Sequence, residues 1–258
     1  MAEPLREYAM SLGRPVSLLQ AGYGVPPSEL ALDELEAAGS HVSVTAVDTD
    51  HPLVRQALGG TARDPALGAA RDPALDTARK PARDMVHDMA TAYEDVIVGD
   101  LRTVPIPPRA FDIVYCANLL ERIEHVELVL DRLVNALRPG GLLLISTHDR
   151  QTAYAFLDRM LPESARKALW KRLRPGMLGP FPAVYEKMVT ERGIASYVQM
   201  RGLVISQRAA QYSSRQISSS VRITCAVISG LSRGRIGNTH DELLYVIRKP
   251  QDSFARVV

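Results

Sequence analysis

The sequence predicts an α/β protein built on an open, doubly wound parallel sheet. Two observations carry this. Compact apolar runs recur at residues 16–24, 41–50, 94–100, 110–120, 142–149, 202–206 and 242–249, and read as seven strands. The first run ends in glycines and leads through a helical segment into the second. Strand, glycine turn, helix, strand is the βαβ opening of such a sheet.

Residues 1–14 read as a short lead-in helix. "VSLLQAGYG" (Val16–Gly24) is continuously apolar, as expected of a strand buried on both faces, and enters a tight turn. Pro26 or Pro27 suits the first turn of the next helix, Glu29 its positive end and Gly39 its stop. "HVSVTAVDTD" (His41–Asp50) is the second strand. Residues 60–84 break the pattern with three near-repeats, in which Arg63, Arg71 and Arg79 correspond, as do Pro65, Pro73 and Pro81. A proline at that interval prevents a long helix, so a mobile surface insertion is expected, with a functional lid as the alternative.

Strands then resume at "EDVIVGD" and "AFDIVYCANLL". Val129, Leu130, Leu133, Val134 and Leu137 form one apolar helical face, with "RPGG" (Arg138–Gly141) as its stop and "LLLISTHD" as the next strand. Residues 150–200 hold helical pieces and no strand. Ala165, Leu169 and Leu173 recur beside Arg166, Lys167, Lys171 and Arg172. Such a basic amphipathic helix either packs over the sheet edge, the preferred reading, or touches a membrane surface. The Ser- and Arg-rich stretch before the last strand resists assignment.

Composition narrows the function. The net charge is only +2, and the 31 basic residues include no stripe with interleaved aromatics, which argues against a nucleic-acid partner. Cys116 and Cys225 lie far apart and the six histidines are scattered, so no metal site is expected and a reducing cytoplasm is. The N-terminus lacks the apolar core of a signal peptide, and no run approaches the roughly 20 residues needed to span a bilayer.

The motifs, in this order, resemble the class I S-adenosylmethionine (SAM)-dependent methyltransferases, and among these the bacterial small-molecule branch. The segment "FDIVYCANLLERIEHVELVLDRLVNALRPGGLLLIS" (Phe111–Ser146) carries the likeness most specifically. It extends over residues 15–150, with a weaker echo at 180–205. The resemblance implies a Rossmann-like, seven-stranded single domain over 1–258, SAM as cofactor, and a helical acceptor-side cap at 150–200. It also implies that Gln20, Ala21, Gly22, Tyr23 and Gly24 form the loop under the methionine moiety. Asp48 and Thr49 would hold the ribose, Asp100 and Leu101 the adenine, and Ala117, Asn118 and Leu119 would lie beside the sulfonium. "QAGYGVP" departs from the family's acidic-x-Gly-x-Gly-x-Gly: Gln20 replaces the acid and Pro26 the last glycine. Arg122 stands where a histidine is sometimes found.

Methyl transfer needs alignment of the reactants first, and a base only when the acceptor must lose a proton. His148, just beyond the fifth strand, is the first candidate for that base, ahead of Asp149, Tyr154, Tyr185 and His125. His41, His51, His87 and His240 read as surface or loop residues. The expected acceptor is a small, partly apolar molecule, such as a secondary metabolite or a lipid-like compound. It would be held near Phe156, Leu157, Met160, Trp170, Met177, Phe181 and Tyr185, residues that equally suit the cap's own core. Three alternatives stay open. They are a methyltransferase-like cyclase or lyase, a non-catalytic binding partner, and a nicotinamide dehydrogenase. The last fits worst, since Pro27 breaks its glycine fingerprint.

Overall fold

The computed structural model describes residues 2–22, 41–49, 95–173, 180–211, 219–232, 236–237 and 239–251. Tyr23, Gly24, Pro26, His51, His87, Met177 and the 60–84 repeats lie outside them, as does the side chain of Trp170.

The seven strands follow the predicted order, and the helix predicted after Pro26 lies outside the described residues. The described elements are α1 (Ala2–Leu12), β1 (Val16–Ala21), β2 (Val42–Asp48), β3 (Asp95–Val98), β4 (Phe111–Ala117), a 3₁₀ turn (Leu120–Arg122), α2 (Val126–Ala136), β5 (Leu137–His148), α3 (Ala153–Met160), α4 (Glu163–Leu173), α5 (Glu191–Met200), β6 (Val204–Gln211), α6 (Ser219–Leu231) and β7 (Glu242–Arg248). The seven strands form one sheet in the order β3-β2-β1-β4-β5-β7-β6. The first five strands in that order pair in parallel, and β7 runs antiparallel to both β5 and β6.

Both faces of the sheet are covered, which explains its continuous apolar strands. On one face Leu5 and Ala9 of α1 pack with Val16, Leu18, Val44, Ile113 and Leu144. On the other, Val129, Leu130 and Leu133 of α2 and Ile194, Tyr197 and Val198 of α5 pack with Leu19, Val114 and Ile145. Every residue of β4 is buried, so β4 forms the centre of the molecule. Arg14 and Arg138 both reach Asp112 at the base of β4, at 2.5 and 2.7 Å, tying the start of β1 and the entry to β5 to the same carboxylate.

Two expectations need correction. "RPGG" does not separate a helix from a strand: β5 begins at Leu137, paired with Phe111, and shifts register before Leu142 pairs with Ile113. Gly140 sits at φ 81°, and a Cβ on Gly141 would lie 2.8 Å from the Asp112 carbonyl oxygen, so the glycines serve an irregularity within the strand. The sixth strand runs to Gln211 rather than ending at Ser206. It is an exposed edge strand with little apolar patterning to betray its length.

Candidate active site

In an open parallel sheet the ligand crevice lies beyond the carboxyl ends of the strands, where the strand order reverses. Here that point is between β1 and β4, which are sheet neighbours. Four strand ends converge around it.

β1 turns at Gly22, with φ 99°, and the Gly22 N–H donates to the Val47 carbonyl of β2 at 2.9 Å. A Cβ at Gly22 would lie 2.3 Å from the Ala117 carbonyl oxygen. Only glycine lets the chains from β1 and β4 pass this closely. Gln20, fully buried, donates its side-chain N–H to the Gly22 carbonyl at 3.2 Å and so braces the turn. β4 ends in Ala117, and Asn118 follows in the left-handed region at φ 45°, its N–H donating to the Ser146 carbonyl of β5 at 2.8 Å. Among the described residues the buried Asn118 Oδ1 has no hydrogen-bond partner. Leu119 is fully buried in the core beneath.

Asp48 closes β2 and is 1% exposed. Its Oδ1 accepts from the Thr49 N–H at 2.6 Å and lies 3.2 Å from the Thr49 hydroxyl; its Oδ2 accepts from Arg122 Nη2 at 2.9 Å. The Arg122 guanidinium is sealed in, 4% exposed at the side chain, and lies 4.1 Å over the Phe181 ring. Arg122 also stands 3.2 Å from the Cβ position of Gly22, so its head fills the space above the β1 turn.

The adjacent residue of the 3₁₀ turn points elsewhere. Glu121 is buried; it accepts from the Thr147 hydroxyl at 2.8 Å and pairs with His148 Nδ1 at 3.0 Å. Burial pushes the Glu121 carboxyl up, but its hydrogen bonds to His148 and the Thr147 hydroxyl outweigh burial and hold it below the usual range. His148 is itself buried at the end of β5 and stacks on Tyr154 of α3, with ring centroids 4.7 Å apart. The Glu121 carbonyl accepts from the Val184 and Tyr185 N–H groups, which anchors the 180–190 segment over the same strand ends. Tyr185 is buried at φ 46° and donates to Asp158 at 3.3 Å; burial raises the phenol far above its ordinary value.

The other expected residues are placed less centrally. Asp100 is exposed and held by Arg102 at 2.8 Å, whose hydrogen bonds bring its carboxyl down to about 2. Leu101 is buried in the core. Asp149 is committed to His240 at 3.1 Å and to the Gln151 N–H, which makes it part of the framework. His125 starts α2 at φ 58° and borders a separate open cleft of about 810 Å³, with Arg150, Tyr185 and Lys187 also on its wall. Of the cap residues, Phe156 and Leu157 are half-buried, Met160 is exposed, and Tyr185 belongs to the core. Sequence reasoning did not pair Glu121 with His148 or Arg122 with Asp48. The available signal was the adjacent Glu and Arg after the apolar run of β4, charges that a strand end buries only with partners.

A family model described as a methyltransferase domain matches residues 2–207. The chain belongs to this family, and its cofactor is SAM. No curated protein matches it. Among solved structures, this methyltransferase is similar to a SAM-dependent methyltransferase from Methanosarcina mazei, at 14% identity and a TM-score of 0.50 over 98% of this chain and 99% of that one. It is also similar to the [4+2]-cyclase SpnF, at 16% identity and a TM-score of 0.51 over 96% and 80%. At these identities the likeness is one of fold.

The strand-end residues of the methyltransferase fit a nucleoside cofactor. Asp48 offers buried carboxylate oxygens suited to paired hydroxyls, and Asn118 offers a buried acceptor that is unmatched among the described residues. The departure from a simple fit is Arg122, which already holds one Asp48 oxygen.

Proposed function

We propose that this methyltransferase carries the methyl group of SAM to a small, partly apolar acceptor held between the strand ends and the 150–200 cap. His148 takes the acceptor's proton and Glu121 positions His148. The buried Glu121–His148 pair at 3.0 Å carries this reading. Gln20–Gly22, Asp48, Thr49 and Ala117–Leu119 would hold SAM from the strand ends, joined by Tyr23 and Gly24 of the following loop and by Asp100 and Leu101. Bound SAM supplies an electrophilic methyl group for in-line attack.

The residues of the chain then have three tasks. The first is alignment, which is worth several orders of magnitude by itself. The second is proton transfer. Glu121 on Nδ1 favours the tautomer with its proton there, so Nε2 is the nitrogen that takes the acceptor's proton. The third is exclusion of water, for which Phe181 against Arg122 and Tyr154 against His148 provide apolar bodies. Cys116 and Cys225 are both free and buried, in keeping with a cytoplasmic protein. We read residues 60–84 as an insertion dispensable for folding.

The test is calorimetry with S-adenosylhomocysteine, followed by methyl-labelled SAM against a broad acceptor panel. Binding of the product and label transfer to small apolar alcohols, phenols or amines are expected. Binding without transfer to any acceptor would favour a cyclase-like reaction, and absence of binding would remove the cofactor assignment.

A further inference from the structure

β6 and β7 are antiparallel neighbours whose ends meet at Gln211 and Glu242. Strands meeting in this way need a connection of only about 2–5 residues. Instead residues 212–241 intervene and carry α6 (Ser219–Leu231), beyond the part of the chain that the family model matches. A connection of that length calls for a purpose.

α6 has two unlike faces. Cys225 is buried and Ile228 partly buried against Ala153, Tyr154 and Leu157 of α3, which fixes the helix to the body. Ile223, Val227 and Leu231 recur every four residues along another stripe and are 65%, 53% and 80% exposed. A helix on an ordinary protein surface turns polar residues to water at such positions. The charge pattern of the surrounding chain is just as one-sided. Residues 192–240 contain no Asp or Glu and seven Arg: 192, 201, 208, 215, 222, 233 and 235. Only acids from outside that stretch offset it: Asp131 pairs with Arg201, and Glu191 with Arg208.

We propose that α6 is a membrane-docking helix. The Ile223–Val227–Leu231 stripe enters the interface of an anionic bilayer, to which the net positive charge of the acid-free 192–240 sequence draws it. An exposed aliphatic stripe within basic, acid-free sequence is the pattern of a helix that lies in the bilayer interface. At 13 residues α6 is too short to cross, and among the described residues no helix is long and apolar enough to do so. A second copy of the chain is the poorer occupant. A two-fold contact sets the same patch against itself, so two copies of the same net-positive sequence would meet with no acid from this stretch to offset them. A leaflet containing acidic lipids brings the missing negative charge. This docking does not depend on the methyl-transfer reading.

The experiment is sedimentation of the full chain with vesicles of phosphatidylcholine, alone or mixed with phosphatidylglycerol. The same is done with a variant carrying Ile223→Ser, Val227→Ser and Leu231→Ser. Thermal unfolding and binding of S-adenosylhomocysteine check that the variant is folded, which its exposed positions favour. We expect binding to the acidic vesicles, at least about tenfold weaker on neutral ones and in high salt, and about tenfold weaker in the variant. Three results would overturn the proposal. The first is no vesicle binding by the wild type. The second is binding that the folded variant retains in full. The third is no vesicle binding together with a dimer, seen by light scattering, that the variant abolishes; this would assign the stripe to a second copy.

Discussion

Arg122 donates to the Asp48 carboxylate at 2.9 Å across 74 residues of chain, and the two side chains are only 4% and 1% exposed. A buried charge pair of this kind adds little net stability, but removing one member leaves the other without its counter-charge in a low-dielectric site. Asp48→Ala should therefore destabilise the fold by about 3–5 kcal/mol in urea unfolding. Adding Arg122→Met should recover much of that loss, because the orphaned charge goes with it.

The same pair bears on cofactor affinity. If Asp48 holds the ribose, Arg122 competes for its Oδ2. Arg122→Met alone should then bind S-adenosylhomocysteine more tightly than wild type, while Asp48→Ala should bind it about 1.5–3 kcal/mol more weakly. Titration calorimetry reads both. Weaker binding by Arg122→Met would show that the arginine contacts the ligand directly.

The strand ends were legible in the sequence because a strand buried on both faces writes itself as an unbroken apolar run. The residue at or just past the end of the strand is then the residue at the crevice, as with Gly22, Asp48 and His148. The pairs that join those ends were not legible. Glu121 meets His148 across 27 residues and Arg122 meets Asp48 across 74, distances that only the closed sheet brings together. β6 was cut short because an edge strand buries little and so needs no apolar run. α6 was missed for the opposite reason: its apolar residues lie on an exposed face as well as on its packed face, which blurs the usual helical stripe.

At Gly22 the backbone leaves no room for a side chain. The residue has φ 99°, and a Cβ would approach the Ala117 carbonyl oxygen to 2.3 Å. Gly22→Ala should cost about 1–3 kcal/mol from backbone strain alone, with more from forcing β1 and β4 apart. Because those strands frame the crevice, affinity for S-adenosylhomocysteine should fall with stability. A variant with unchanged melting temperature and affinity would mean that the turn relaxes freely.

Acid should loosen the sheet through Asp112. Burial pushes this carboxyl up, but hydrogen bonds from Arg14, the Ser17 N–H and Arg138 outweigh burial and hold it below 3.8. A carboxyl depressed in the folded state contributes stability that is present above its unfolded value and is lost as pH falls through the folded value. Glu121 acts in the same sense from 4.5 downward. Wild type should lose stability as pH drops below these values. Asp112→Asn should cost about 1.5–3 kcal/mol at neutral pH, nearer the lower figure because Arg14 and Arg138 are partly solvated. Its deficit should shrink on acidification, in melting curves recorded from pH 7 to 3. A deficit that stays constant with pH would mean that Asp112 titrates alike in both states.

The sharpest test of the proposed chemistry separates His148 from Glu121. If His148 takes the acceptor's proton, His148→Ala should lower turnover by roughly 10²–10⁴ and leave S-adenosylhomocysteine affinity nearly unchanged, since the histidine acts after binding. Glu121→Gln keeps an oxygen that can accept from His148 Nδ1 but removes the carboxylate that stabilises the imidazolium. The imidazole should then become less basic, and the acidic limb of the turnover profile should move to lower pH. A purely structural Glu121 would alter stability without moving that limb. Full turnover in His148→Ala would leave alignment of the two reactants as the source of catalysis, with the buried pair serving only to tie β5 to the turn after β4.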